Sequence, residues 1–389
     1  MSTFAIKADR FVLAGATMQG GYLTIEDGKF GAWSAEAPAG VAVHDLTGCI
    51  VGPGLVDTHI HGFFGHATTD RSAEGINASS VELARRGTTA WLPTTFTESV
   101  DEIADSCAAI AKADKGRDKD FVGARIAGIF LEGPFFTEAH VGAQNPVYLI
   151  DPSLEAFDRW QEVAGGRIVK SALAAERNGA CPYCAALAAM GVVTAIGHSD
   201  ATYDEAVAAV NAGATCFVHT YNGQRGLHHR DPGVTGTAMT TNGTYAEIIC
   251  DGRHVVPAAI KALVDAKGWE HTVLITDCLG CGGLPDGDYM SGGLPVVLKD
   301  GLCYLRNEDG TSGNIAGSVL TLAQGVKNMV DWQIVTAEQA IRMASEVAAR
   351  SARVDDRFGK ILPGRDADLT VFNADMTLAT TFVGGVEVK

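Results

Sequence analysis

Val51-Gly-Pro-Gly-Leu-Val-Asp-Thr-His-Ile-His61-Gly62 is the stretch that decides the fold. An apolar run that closes on two histidines one residue apart, and then on glycine, has the form of a buried strand whose end faces a metal. Successive strand side chains point to opposite faces, so His59 and His61 share one face while Ile60 packs behind them. Two histidines lining a polar strand end are the plainer alternative, and only partners elsewhere in the chain can decide between the two.

The pattern continues outward from this run as alternating strand and helix. With 50–60 as the first strand, apolar segments predict seven more at 89–93, 125–133, 168–174, 192–197, 216–221, 245–250 and 272–277. Apolar residues recurring at three and four predict helices such as 77–86, 100–113, 203–212 and 257–267. Strands joined by helical crossovers pair in parallel, and eight of them imply a closed (β/α)8 TIM-like barrel. Both chain ends read differently. Short β-like pieces around turns such as Asp27-Gly28, matched by Ala367-Asp-Leu-Thr-Val-Phe-Asn373 and Thr381-Phe-Val-Gly-Gly-Val386, predict one small β-sandwich domain built from 1–50 and 357–389, with the barrel at 51–356.

Composition narrows the function classes. A chain of 389 residues with 47% hydrophobic content has material for one large core. Its net charge of −16 argues against binding nucleic acid or an anionic membrane surface, so any phosphate must be met by a local basic cluster. No apolar run has the length of a signal sequence or a membrane span, which points to the cytoplasm. Nine scattered cysteines are expected to be reduced thiols.

Barrel enzymes act at the C-terminal strand ends, and that geometric filter collects a coherent set. Glu132 ends the third strand, His198 follows the fifth, His219 ends the sixth and Asp277 ends the eighth. With His59 and His61 they make a mouth of imidazoles and carboxylates, suited to Zn²⁺ and also to Fe²⁺, Mn²⁺ or Co²⁺. Amide hydrolysis is chemistry that such a mouth supports, with Asp277 as the carboxylate that moves the proton. A helix cap at the strand end is its alternative role.

The motifs Gly54-Leu-Val-Asp-Thr-His-Ile-His-Gly62, Leu131-Glu-Gly-Pro-Phe-Phe136, Gly142-Ala-Gln-Asn-Pro146, Gly197-His-Ser199, His219-Thr-Tyr-Asn-Gly223, Leu227-His-His-Arg-Asp-Pro-Gly233, Asp251-Gly-Arg-His254, Thr276-Asp-Cys278 and Ala316-Gly-Ser318 run in this order along nearly the whole chain. In them the sequence resembles the amidohydrolase superfamily and, within it, the N-acetylglucosamine-6-phosphate deacetylases. The resemblance implies Glu132, His198 and His219 as ligands of a main metal and Asp277 as catalytic acid/base. It also implies Arg230 and His254 as phosphate contacts, with the phosphate read across a homodimer interface. His59 and His61 then belong to a second metal position or support the first, giving one or two ions per subunit.

Phosphate recognition also has a local signature. His228, His229 and Arg230 sit together in a loop beyond the sixth strand, and the Arg fork matches phosphate oxygens. His254 joins them, and Asn222 with Gly223 offers side-chain and backbone groups to the sugar phosphate. Gln144 stands where the resembled family usually carries a substrate-contacting histidine; it can donate an N–H but cannot become cationic. Tyr221-Asn-Gly-Gln224 is closer to the N-acetylgalactosamine-6-phosphate branch, so the hexosamine epimer stays open. Other amidohydrolase substrates, such as a cyclic amide or an N-acyl amino acid, would need a different anion site from Arg230 and His254, and an idle barrel would not need Glu132, His198, His219 and Asp277 together. Cys181-Pro-Tyr-Cys184 with Cys278 and Cys281 formally makes a four-cysteine zinc site, though nothing in the sequence brings the two pairs together; Lys170 as a bridging ligand is opposed by its place early in its strand and by Glu132, which already fills that role; Gly282-Gly-Leu-Pro-Asp-Gly287 reads as a lid or a plain turn.

Overall fold

The computed structural model describes residues 3–307 and 309–389; residues 1 and 2 of the expected terminal domain and Glu308 lie outside the described residues. Eight strands, Leu55–Ile60, Thr88–Pro93, Arg125–Ile126 with Ile129–Leu131, Ile168–Leu173, Val193–Ile196, Ala214–Phe217, Tyr245–Ile249 and Thr272–Ile275, pair in parallel in chain order. Thr94 bridges to Phe130 to join the second strand to the third. The circle closes between the eighth strand and the first. There Asp277 donates its backbone N–H to the His59 carbonyl at 2.9 Å, and His61 does the same to Cys278 at 2.9 Å. Asp57 seals this seam, its carboxylate accepting the Thr276 hydroxyl at 2.6 Å.

These strands are buried on both faces, as their near-continuous apolar sequences require when helices cover the outside. The crossover helices begin where the sequence supplies caps. Ser99 and Glu102 form a capping box at Val100–Lys115, and Thr202 with Glu205 does so at Tyr203–Asn211.

The predicted first strand, 50–60, is corrected by the structure into two. Ala42–Pro53 pairs with the first strand of the chain, Thr3–Leu13, and with Leu369–Phe372, whereas Leu55–Ile60 belongs to the barrel. Gly54 is the hinge between them, because a Cβ there would lie 1.9 Å from the Thr89 hydroxyl oxygen. Gly54 thus lies where the chain passes from the terminal sheet into the barrel. The predicted third strand is likewise split, at Ala127-Gly128.

Strands from both chain ends form one eight-stranded sheet over an apolar core that includes Ile6, Phe11, Ile25, Val51, Leu369 and Phe382. The Gly28 turn of this sheet accepts the Ala367 N–H at 2.8 Å and abuts Gly384.

A further element went unread in the sequence. After the eighth strand, Gly287–Ser291, Leu294–Lys299, Leu302–Arg306 and Ser312–Ile315 form a four-stranded antiparallel sheet beside the barrel mouth. It is anchored by an apolar cluster that joins Val296, Cys303 and Ala316 to Phe96, Leu279 and Cys281.

Candidate active site

Glu132, His198, His219 and Asp277 each sit just past the end of a barrel strand. At His198, His219 and Asp277 the backbone turns into the left-handed region, with φ of 46°, 26° and 52°. Such conformations cost free energy in non-glycine residues and persist where the surrounding structure enforces them. Here they aim three side chains into the mouth.

The side chains converge in two adjoining groups, His59 with His61 and Asp277, and Glu132 with His198 and His219; within each group the potential ligand atoms lie within 4.8 Å of one another. Glu132 touches both groups. One carboxylate oxygen lies 3.1 Å from His219 Nε2 and 3.3 Å from His59 Nε2, the other 3.1 Å from His61 Nε2. Asp277 Oδ1 lies 3.1 Å from His61 Nε2 and 3.3 Å from His59 Nε2.

The outward-facing nitrogens determine what the inward ones can do. His198 Nδ1 meets the His140 carbonyl at 2.8 Å, His219 Nδ1 the Asn222 carbonyl at 3.1 Å, and His61 Nδ1 the Thr94 carbonyl at 3.3 Å. Carbonyls only accept, so each Nδ1 carries the proton and each Nε2 presents a lone pair to the centre. His198 Nε2 and His219 Nε2 face each other at 3.1 Å, two lone pairs that a cation reconciles. His59 Nε2 is buried and makes no hydrogen bond.

Charge points the same way. Glu132, Glu247 and Asp277 are buried in the barrel interior, where Lys170 is the one buried lysine or arginine among the described residues. Burial alone would discharge His59, yet Glu132 and Asp277 outweigh it and hold the imidazole up at about 10. Burial likewise opposes ionisation of Glu132 and Asp277, but the charge of the neighbouring His59 outweighs it and holds both below the usual carboxylate range. The cluster thus asks for positive charge at its centre, and these residues fit a divalent metal ion.

One pocket gathers nearly all the predicted site residues. His61, Glu132, Gln144, His198, His219, Asn222, Gly223, His254 and Asp277 line it, and His59 lies buried beneath. Gly223, at φ 56°, sits so near His198 that a Cβ would come within 3.0 Å of its Nδ1. His254 Nδ1 binds Asp251 Oδ2 at 2.6 Å, while its Nε2 is buried without a partner. Burial works against a charge on His254, and Asp251 overcomes it, raising the group above its ordinary value. Gln144 is held by the protein at both amide atoms: its Oε1 accepts the Thr97 N–H at 2.8 Å and its Nε2 donates to Glu132 at 2.7 Å.

Arg230 is the exception. It lies exposed in the His228–Asp231 turn, donating to His229 Nε2 at 2.8 Å, and it does not line the pocket of its own chain. The adjacent Asp231 pairs with Arg225. The four-cysteine arrangement is also absent: no cysteine joins a metal-competent group among the described residues, and Cys281 instead lies 3.8 Å from Cys303. Lys170 is not a ligand, because its Nζ is bound to Glu247.

Sequence reading missed much of the wall. Phe96 stacks on His61 with ring centroids 3.8 Å apart, and Ser291, Val296, Leu305 and Ile315 come from the four-stranded sheet. It also missed Glu247, which accepts from His59 Nδ1 at 3.2 Å. A lone carboxylate inside Tyr245-Ala-Glu-Ile-Ile249 was the available signal, since a strand buried on both faces carries no charge without a reason.

Similarity to known proteins agrees with this geometry. The amidohydrolase family model matches residues 50–388. The N-acetylglucosamine-6-phosphate deacetylase of Vibrio furnissii is 39% identical over 86% of this chain and 81% of its own length. The N-acetylgalactosamine-6-phosphate deacetylase of Escherichia coli O157:H7 is 33% identical over 98% of each. A crystal structure of N-acetyl-D-glucosamine-6-phosphate deacetylase from Mycobacterium smegmatis superposes with a TM-score of 0.91 at 28% identity, covering 99% of this chain and 100% of that one. A match over most of the length, on a barrel whose strand ends carry this cluster, places the chain in the amidohydrolase family, in the branch whose named members are N-acetylhexosamine-6-phosphate deacetylases.

Proposed function

We propose that the protein hydrolyses the acetamide of an N-acetylhexosamine 6-phosphate, N-acetyl-D-glucosamine 6-phosphate foremost, releasing acetate and the amino sugar phosphate. The observation that carries this reading is one pocket holding both Asp277, which belongs to the His59/His61 ligand group, and His254, whose Nε2 makes no hydrogen bond and suits an anion. A divalent ion held by Glu132, His198 and His219, with zinc the first choice and iron, manganese or cobalt as alternatives, supplies Lewis acidity that brings the pKa of water from about 16 to near 7. His59, His61 and Asp277 offer a second position.

The chain's own groups do the rest. Asp277 Oδ1 is the oxygen nearest both first-strand imidazoles, which leaves Oδ2 to take a proton from the attacking water and hand it to the departing amine. Glu132 keeps its orientation through Gln144, so here Gln144 acts on the ligand set more than on the substrate carbonyl. Asn222 and Gly223 border the sugar, and His254 meets the phosphate end. Phe96 and side chains of the four-stranded sheet complete the wall of the pocket.

Arg230 has a place in this scheme only if a second copy of the chain brings it in, and we place the enzyme as a homodimer on that ground. Nine free cysteines suit a reducing compartment, the cytoplasm, and no helix among the described residues is long and apolar enough to cross a membrane. A second reading, the galactosamine epimer, is favoured by the Tyr221-Asn-Gly-Gln224 segment. Acetate release from N-acetylglucosamine, N-acetylgalactosamine and N-acetylmannosamine 6-phosphates in one assay separates the two; highest kcat/KM on the glucosamine form supports the first reading, and highest on the galactosamine form replaces it.

A further inference from the structure

Beneath the mouth, inside the barrel, Lys170 of the fourth strand and Glu247 of the seventh form an ion pair with both side chains buried. Two opposite charges taken out of water gain little or nothing in stability over an apolar pair of the same volume. Their contacts give another reason for being there. Glu247 Oε1 receives Lys170 Nζ and the Thr58 hydroxyl at 3.5 Å; Oε2 receives His59 Nδ1 at 3.2 Å and the His219 backbone N–H at 3.4 Å. Phe130 completes the frame, with Lys170 Nζ 4.0 Å over its ring and the His59 ring edge-on to it at 4.9 Å.

We propose that the Lys170–Glu247 pair is a positioning device for His59 that selectively tunes the His59/His61/Asp277 metal position. His59 differs from the other three histidines in that its Nδ1 is held by a carboxylate instead of a backbone carbonyl. A carbonyl is fixed by the fold, whereas a carboxylate on a side chain must itself be held, and Lys170 holds it. With Oε1 committed to Lys170, Oε2 fixes His59 as the tautomer whose Nε2 lone pair faces the ions. In the Glu132/His198/His219 group the imidazole Nδ1 atoms lean on the His140 and Asn222 carbonyls instead, and Glu247 reaches that group only through the His219 backbone N–H.

This inference rests on the metal reading of the pocket, and its test reads metal binding and folding instead of turnover. Zn²⁺ titration of metal-stripped protein against a chromophoric chelator is run on wild type, on Glu247→Gln, and on a double variant with Lys170→Met and Glu247→Met. In Glu247→Gln, Lys170 claims the amide oxygen and the amide N–H faces His59, inverting its tautomer. The double variant leaves no charge unpaired. The expected result is two ions in wild type and, in both variants, one ion at wild-type affinity with the other weakened about 10- to 100-fold. The metal-free melting temperature of the double variant should be unchanged or raised. Unaltered affinity for both ions, parallel loss of both with a lowered metal-free melting temperature, or a single ion in wild type unchanged by the substitutions each overturns the proposal. A wild type that takes up no ion would sink the metal reading as well.

Discussion

Asp277 meets two demands at once, since it must stay ionised among buried groups and still be reached by substrate. His59 and His61 satisfy the first, and its place at the pocket surface the second. Asp277→Asn should therefore lower kcat about 100- to 10,000-fold while Glu132, His198 and His219 still bind metal, as checked by kinetics beside metal analysis. His254 supplies a pH signature. Asp251 raises it above its ordinary value, so its charge is present at lower pH and lost as pH rises through that folded value. KM for a 6-phosphate substrate should rise over that window, and His254→Gln should flatten the rise in a KM–pH profile. The residues that were legible in the sequence are those whose neighbours mark a strand end, such as Gly-His-Ser and Thr-Asp-Cys. Glu247 and Lys170 were not, or were read for another role, because a charge in mid-strand shows its partner only once the strands are arranged in a circle.

Elements deliver these residues, and the seam between the eighth and first strands is the critical one. Asp57 is buried there, and desolvation pushes its carboxyl up to about 7 against the opposing pull of the Thr276 hydroxyl. An acid raised on folding takes up a proton, so its contribution is present at low pH and lost as pH rises from about 4 through about 7. Asp57→Asn should then gain on wild type in melting temperature between pH 5 and pH 8; a constant difference would contradict this. Gly54, where one sheet passes into the other, has no room for a side chain, and Gly54→Ala should cost about 1–3 kcal/mol in denaturant unfolding. The barrel strands were legible because continuous apolar runs alternate with helical periodicity. The four-stranded sheet at 287–315 was not. Its strands are short and half-exposed, with burial patterns such as exposed Met290 beside buried Ser291, and its Gly-rich turns read as loop.

For the whole molecule, the exposed Arg230 turn makes a claim that one chain alone does not satisfy. If Arg230 serves the pocket of a second copy, Arg230→Ala and Asp277→Asn are each inactive alone, yet mixing them with subunit exchange rebuilds one intact site per mixed dimer. About a quarter of wild-type activity should return. No recovery in verified mixed dimers would mean that Arg230 acts within its own chain or not at all. The central claim is more basic, that this pocket removes acetate with the help of a metal held by its imidazoles and carboxylates. It is tested most directly by following acetate release from N-acetyl-D-glucosamine 6-phosphate with native, chelator-stripped and zinc-restored protein. The structure predicts activity that disappears on stripping and returns with zinc. Release that is indifferent to the chelator, or none from any N-acetylhexosamine 6-phosphate with metal bound, would contradict it.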